Sequence, residues 1–318
     1  MKSVTMTTKS DIIRVGTRGS LLARTQTDWA LRQLQQRCPD VRFEVTVVRT
    51  AGDANTGKLP ARLAGKGFFT KEIEDALLSD TVDLAVHSLK DLPTEWASGL
   101  ALGAIPPRED PRDALVGLDV DQLTARAAGI RIGTSSLRRS AQLRRAFPGC
   151  RVENFRGNLD TRLRKVKDGE VDCAVVAAAG LHRIGRQAEI RHLFTAAQML
   201  PAPGQGALAI EIRAGDERVR RVTRTLHCAD TEAAVTAERS FMHRLGGGCQ
   251  VPVAALATVD GSRLHLEGRV ISLDGARVLE GFRDGPRDQA AALGESLAEG
   301  LRAQGADIII REIEQYLV

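Results

Sequence analysis

Apolar and polar positions change period repeatedly along this chain, and each change marks an element. Ile12 to Gly16 predicts a strand. The turn Thr17-Arg18-Gly19-Ser20 follows, then a helix over about Leu21 to Arg37 with Ser20 placed as its N-cap. Arg42 to Val48 alternates as a second strand. Gly52 to Gly67 is too broken by glycine and proline for regular structure and predicts a lid. Thr70 is placed to cap a helix ending near Leu78. The apolar run Leu84 to Val86 then predicts a buried strand, ending in His87, Ser88, Lys90 and Asp91 before Pro93 halts it. This βαβαβ order predicts a parallel sheet covered on both faces.

The pattern then restarts. Arg131-Ile-Gly-Thr134 echoes Arg14-Val-Gly-Thr17, Ser136-Leu137 echoes Ser20-Leu21, and Asp172-Cys-Ala-Val175 echoes Asp83-Leu-Ala-Val86. Their common order predicts two related lobes. Proline-marked crossings at Ile105-Pro-Pro107 and Pro201-Ala-Pro203 predict a hinge over a cleft, and Gly206 to Ile212 predicts a strand that rejoins the first sheet. After helices near 216–226 and 231–245, alternating strands near 251–259, 263–272 and 277–283 precede helices near 288–302 and 307–317. These predict a third, smaller α/β domain. The expected division is lobe 1 at 11–106 and 204–226, lobe 2 at 107–203, a C-terminal domain at 227–318 and a disordered tail at 1–10.

Composition narrows the function. No apolar run approaches the ~20 residues of a membrane helix, and residues 1–10 lack the apolar core of a signal peptide. Five cysteines without CxxC spacing indicate neither a zinc site nor a disulfide framework, which suits a reducing cytoplasm. The net charge of +5 is uneven: residues 131–191 hold fourteen Arg and Lys against six Asp and Glu, a local +8. An anionic partner is implied there. Aromatic residues are only 3% and no nucleic-acid-binding motif is present, so small polyanions fit better than DNA. Arginine outnumbers lysine 37 to 8, favouring two-pronged grips on carboxylates.

Several stretches carry candidate chemistry. Gly52 to Lys58 matches the first seven positions of a phosphate-binding G-x-x-x-x-G-K loop, but Leu59 and Pro60 stand where the metal-binding hydroxyl and the helix should begin, so nucleotide binding is excluded. Thr134, Ser135 and Ser136 open a helix, a suitable anion site, and Arg138 and Arg139 fall in its first turn, where the helix dipole disfavours cations. A bound anion would offset that repulsion. Arg156 and Arg162 lie at the start of a further helix, and Arg18 sits at the corresponding junction of the first lobe. His87 is a candidate base, competing with a purely structural role. Cys249, after Gly246-Gly-Gly248, is a candidate point of covalent attachment, against an incidental thiol on a tight loop.

The chain resembles the porphobilinogen deaminase family from about Ile12 to its C-terminus. The resemblance rests on GTRGS at 16–20, AGD at 51–53, GKGFFTKEIEDALL at 65–78, VDLAVHSLKDLP at 82–93 and REDPRDAL at 108–115. It continues through GTSSLRRSAQL at 133–143, RGNLDTRL at 156–163, AAAGLHRIG at 177–185, LPAPGQGALAIE at 200–211 and GGGCQVPV at 246–253. The resemblance implies two lobes like those of type II periplasmic binding proteins plus a C-terminal α/β domain. It also implies stepwise joining of four porphobilinogen molecules into hydroxymethylbilane with release of ammonia. A dipyrromethane cofactor would be held by a thioether at Cys249, Asp91 would be the catalytic carboxylate, and no metal would take part. Arg18, Ser20, Ser88, Lys90, Thr134, Ser136, Arg138, Arg139, Arg156, Arg162 and Arg183 match positions that bind acetate and propionate arms. Gln26, Asp53, Phe69 and Gln205 match other cleft positions, and 52–67 matches a loop over the site. Arg24, Thr25 and Gly247 depart from the family pattern without touching the chemistry. The resemblance further implies a cytoplasmic monomer. The competing class is a non-catalytic two-lobed receptor for a small polycarboxylate, which leaves Cys249 unexplained.

Overall fold

The computed structural model describes residues 12–50, 70–125, 128–246 and 251–317. The expected tail and lid, together with Asp53, Phe69 and Cys249, lie outside the described residues. The chain opens with β1 (Ile12–Arg18), α1 (Leu21–Arg37), β2 (Arg42–Val48), α2 (Lys71–Leu78), β3 (Leu84–Ser88) and β4 (Leu100–Ala104). It crosses into β5 (Asp113–Val116), α3 (Val120–Ala125), β6 (Arg131–Gly133), α4 (Leu137–Ala146) and β7 (Arg151–Glu153). Then come α5 (Leu159–Lys167), β8 (Cys173–Ala177), α6 (Ala178–Arg183) and β9 (Ile190–Leu193). The chain returns through β10 (Leu208–Arg213) and α7 (Glu217–Arg224).

The two lobes share one topology. The first sheet runs β2-β1-β3-β10-β4 and the second β7-β6-β8-β5-β9. In each, four strands run one way, and the first strand laid down after a crossing, β10 or β5, lies antiparallel to both neighbours. This repeated topology is the two-lobe architecture expected from the sequence. The apolar pattern marks neither β4, β5 nor β9. In lobe 1, Ile13, Val15, Leu84, Val86, Ile210 and Ile212 pack on Ala30 and Leu34 of α1. The other face, with Ala85 and Leu100, packs on Ile73 and Leu77 of α2. Ser20 caps α1 as expected, accepting from the Ala23 amide at 3.3 Å. Thr70 corrects its expectation: its hydroxyl makes no capping bond to α2 and is buried without a hydrogen-bond partner.

The sequence echoes prove to be two halves of one brace. Arg14 at the start of β1 donates from its amide (2.8 Å), Nε (3.0 Å) and Nη2 (2.7 Å) to the Asp83 carboxylate. Arg131 does the same to Asp172 at 2.8, 3.4 and 2.8 Å. Burial alone would push Asp83 up, but the Arg14 bonds and one from Arg213 hold it well below the usual carboxylate range.

The C-terminal domain takes α8 (Ala229–Arg244), β11 (Val253–Asp260), β12 (Arg263–Ile271), β13 (Val278–Pro286), α9 (Ala290–Ala303) and α10 (Ala306–Leu317). Its antiparallel meander β11-β12-β13 packs on Phe241, Leu297 and Leu301. Glycine at 268 makes that contact possible, because a Cβ there would stand 2.7 Å from Phe241 Cζ. Glu238 of α8 is fully buried and ties the crossings together. It accepts two bonds from Arg108 (2.6 and 3.1 Å), one from the Gly204 amide (2.7 Å) and one from the Ala257 amide of β11 (2.8 Å).

Candidate active site

The cleft is built where strands end. After β3 the chain makes one tight 3-10 turn, Leu89–Asp91, which buries Leu89 and leaves the Asp91 side chain exposed. Ser88 hydrogen-bonds Gln26 of α1 at 2.9 Å, which fixes the strand end against the helix. Lys90 is partly buried and donates to Gln205 Oε1 at 3.2 Å. Desolvation first, then repulsion from Arg139, pushes its ammonium down to about 8, with Asp91 partly opposing. Asp91 likewise raises Arg162, so the carboxylate of lobe 1 is within electrostatic reach of an arginine of lobe 2.

Lobe 2 supplies the cations. Ser136 caps α4, accepting from the Arg139 amide at 3.4 Å, and buried Thr134 accepts from the Ser136 amide at 3.2 Å. Arg138 and Arg139, expected as grips on a ligand's carboxylate arms, are paired within the chain at that helix start. Both are buried on Asp113 of β5. Arg138 Nη1 reaches Oδ2 at 2.6 Å, while Arg139 Nε and Nη2 reach Oδ1 at 2.9 and 2.7 Å. The anion expected as a ligand is thus, at these two guanidinium groups, a side chain of the chain itself. Burial would raise Asp113, but the two arginines and Gln205 hold it well below the carboxylate range. Asp113 escaped the sequence analysis although REDPRDAL contains it; the signal was an aspartate opening a short apolar run beside a crossing. Two arginines against one carboxylate still leave a surplus positive charge.

The remaining arginines are less committed. Arg162 donates from Nε to Gly157 O at 2.8 Å, and Arg183 from Nη2 to Gly206 O at 2.6 Å. Each is pushed down to about 10, mainly by burial. Arg18 and Arg156 are partly buried at their junctions. Arg156, Arg162 and Arg183 make no ion pair to a carboxylate among the described residues; Asp91 and Glu109 act on Arg162 and Arg183 only at longer range, and cations so placed suit an external anion.

Gln205 links the lobes at the hinge. Its Oε1 accepts from Lys90 of lobe 1 and from Arg139 Nη2 of lobe 2 (3.3 Å), while Nε2 donates to Pro111 O (2.7 Å) and Asp113 Oδ1 (2.9 Å). Beside it the two crossings touch, the Glu109 amide donating to Gly206 O at 3.2 Å. Gly206 has φ +87°, and a Cβ there would lie 2.3 Å from Glu109 O, so only glycine fits. His87, the candidate base, is buried in the sheet with Nε2 3.1 Å from Glu211 Oε2 and has no opening to the cleft. No group of three metal-binding side chains occurs among the described residues.

Two lobes of this topology, joined at Gln205 and Gly206, with Arg162 and Arg183 partly buried and in no ion pair with a carboxylate among the described residues, make a two-lobed cleft suited to an anionic ligand. A family model described as porphobilinogen deaminase, dipyromethane cofactor binding domain, matches residues 13–221, and the model of that family's C-terminal domain matches 233–303. The chain is 46% identical over 302 residues to the porphobilinogen deaminase of Syntrophobacter fumaroxidans, covering 95% of this chain and 98% of that one. It is 47% identical over 299 residues to that of Desulforudis audaxviator, covering 94% and 97%. Among solved structures, the VFT2 domain of Bordetella pertussis BvgS is similar at 17% identity and a TM-score of 0.42, covering 72% of this chain and 92% of that one. This chain belongs to the porphobilinogen deaminase family. Membership does not favour a non-catalytic receptor.

Proposed function

We propose that the cleft carries out the hydroxymethylbilane synthase reaction, a transferase reaction joining four porphobilinogen molecules head to tail with release of four ammonia molecules, after which water cleaves the product off as hydroxymethylbilane. The observation that carries it is the exposed Asp91 carboxylate at the end of β3, set among Lys90 and Arg162. When the substrate's aminomethyl C–N bond breaks, ammonia leaves and the pyrrole becomes a cationic azafulvene. A carboxylate held beside the pyrrole N–H stabilises that charge as it develops. Asp91 also moves protons, towards the departing amine and away from the carbon that has formed the new C–C bond. Cys249 would hold the dipyrromethane primer through a thioether, and the primer would supply the nucleophilic pyrrole carbon.

Arg18, Arg156, Arg162, Arg183 and Lys90 hold acetate and propionate arms, with the hydroxyls of Ser20, Ser88, Thr134 and Ser136. Arg138 and Arg139 contribute through the surplus charge of the Asp113 cluster, and Gln26 and Gln205 keep the strand end and hinge in place. Asp53 and Phe69 are assigned to the cleft on the family pattern alone. In this reading the molecule acts as a cytoplasmic monomer, divided at the boundaries expected from the sequence. Among the described residues, no helix is long and apolar enough to cross a membrane. Intact-mass measurement of the purified chain tests the proposal. The expected result is an excess of two porphobilinogen-derived rings that disappears in Cys249→Ser; a wild-type chain at its bare polypeptide mass, inert towards porphobilinogen, would overturn it.

A further inference from the structure

We propose that Arg239, on the C-terminal domain's helix α8, is a positioning residue for Asp91, acting by gripping the main-chain carbonyls on both sides of it. The inference rests on the assignment of Asp91 as the catalytic carboxylate. Arg239 Nη1 lies 3.5 Å from Leu89 O and 3.3 Å from Leu92 O, and Nη2 donates to Pro93 O. Leu89 and Leu92 are the residues that close the turn, the Leu92 amide donating to Leu89 O at 3.1 Å. Lys90 and Asp91 are the two residues between them. One planar guanidinium therefore fixes the ends of the loop that presents the carboxylate.

The grip extends along the segment. The Arg239 guanidinium sits 5.6 Å from the centre of the Trp96 ring, and Thr94 Oγ1 lies 3.3 Å from His243 Nδ1, one helical turn further along α8. Residues 92–99 are neither helix nor strand, so the segment depends on these side-chain contacts together with the packing of Leu92 and Trp96 against Ile105 and Val235. Behind the turn lies a cavity of about 280 Å³, lined by Leu89, Trp96, Val235, Arg239 and His243 among others, which leaves the loop room to shift if its clamp is removed. The adjacent Glu238 holds the hinge. Neighbouring side chains of one helix thus set both the lobe crossings and the catalytic turn, linking the domain that carries Cys249 to the carboxylate in lobe 1.

The test uses the full-length, cofactor-loaded chain. Arg239→Gln is expected to retain the cofactor mass, lose about tenfold or more in kcat, and keep KM within about twofold, because small displacements of a reacting group act on the chemical step. Arg239→Lys, which keeps the charge but reaches fewer carbonyls, is expected to recover part of the loss. In an Asp91→Asn background, with elongation followed by intact mass over long incubations, Arg239→Gln is expected to add no further slowing. A lowered melting temperature with unchanged kcat, or an undiminished tenfold effect in the Asp91→Asn background, would overturn the proposal. Near-normal turnover by Asp91→Asn alone would identify the Asp91 assignment itself as the error. Should Arg239→Gln not fold, the pair Trp96→Leu and His243→Ala replaces it: a fall in kcat at constant KM supports the clamp, and no change contradicts it.

Discussion

Aligned on their Asp-x-Ala-Val strands, the two lobes place Lys90 and Asp91 of lobe 1 opposite Ala179 and Gly180 of lobe 2. A Cβ at Gly180 would stand 2.9 Å from Leu159 Cδ2, so lobe 2 leaves that position no ready space for a side chain. Lobe 1 instead projects a carboxylate there. The helix starts reverse the contrast: Leu22 and Ala23 of α1 correspond to Arg138 and Arg139 of α4. One scaffold, with one strand order and one Arg–Asp brace, thus carries the acid in one half and most of the guanidinium groups in the other. The lesson is that the brace and sheet define the lobe, while the two or three residues after each strand define its task.

Breaking the Asp113 cluster should give the largest effect on stability. Asp113→Asn leaves two buried arginines without their carboxylate, and a loss of about 3–5 kcal/mol is expected in urea unfolding; a loss below about 1 kcal/mol would show that the arginines do not depend on it. The braces sharpen the comparison between lobes. The Asp83 side chain is 2% exposed and pairs with Arg14 and Arg213, whereas that of Asp172 is 35% exposed. Asp83→Asn should cost about 2–3 kcal/mol, less than a fully buried pair because Arg14 reaches solvent. Asp172→Asn should cost less than about 1 kcal/mol. Equal losses would show the lobes to be energetically alike. Because Asp83 is held below its unfolded value, its contribution is present above the ordinary carboxylate range and fades as pH falls through the depressed value. Wild type and Asp83→Asn should therefore converge in strong acid.

Lys90 gives the smallest and most local effect. Its depressed value of about 8 means that the ammonium in the cofactor-free chain loses its proton as pH rises through that point. Cofactor acquisition on exposure to porphobilinogen should slow above about pH 8, and Lys90→Arg should abolish that decline. A decline of the same shape in Lys90→Arg would place the titration elsewhere.

Much of the scaffold was legible because its signals are local. The echoed Arg…Thr and Asp-x-Ala-Val segments recur in structure as the paired braces, and Ser20 and Ser136 cap α1 and α4. The strands β4, β5 and β9, of four or five residues each, are too short to show a period, and the four residues of β5 are all buried. Missing β5 meant missing Asp113, whose role depends on a contact 25 residues away in sequence. A helix start with two cations lacks an anion in sequence; the Asp113 carboxylate that pairs with Arg138 and Arg139 arrives only through tertiary packing. Arg239 gave no signal at all, since its partners are main-chain carbonyls about 150 residues earlier.

The most direct test is porphobilinogen consumption by cofactor-loaded Asp91→Ala. A fixed carboxylate that stabilises a developing cation is worth about 10²–10³ in rate or more, so this variant should carry the normal cofactor mass and consume almost no porphobilinogen. A folded, cofactor-loaded Asp91→Ala chain turning over at near the wild-type rate would contradict the account.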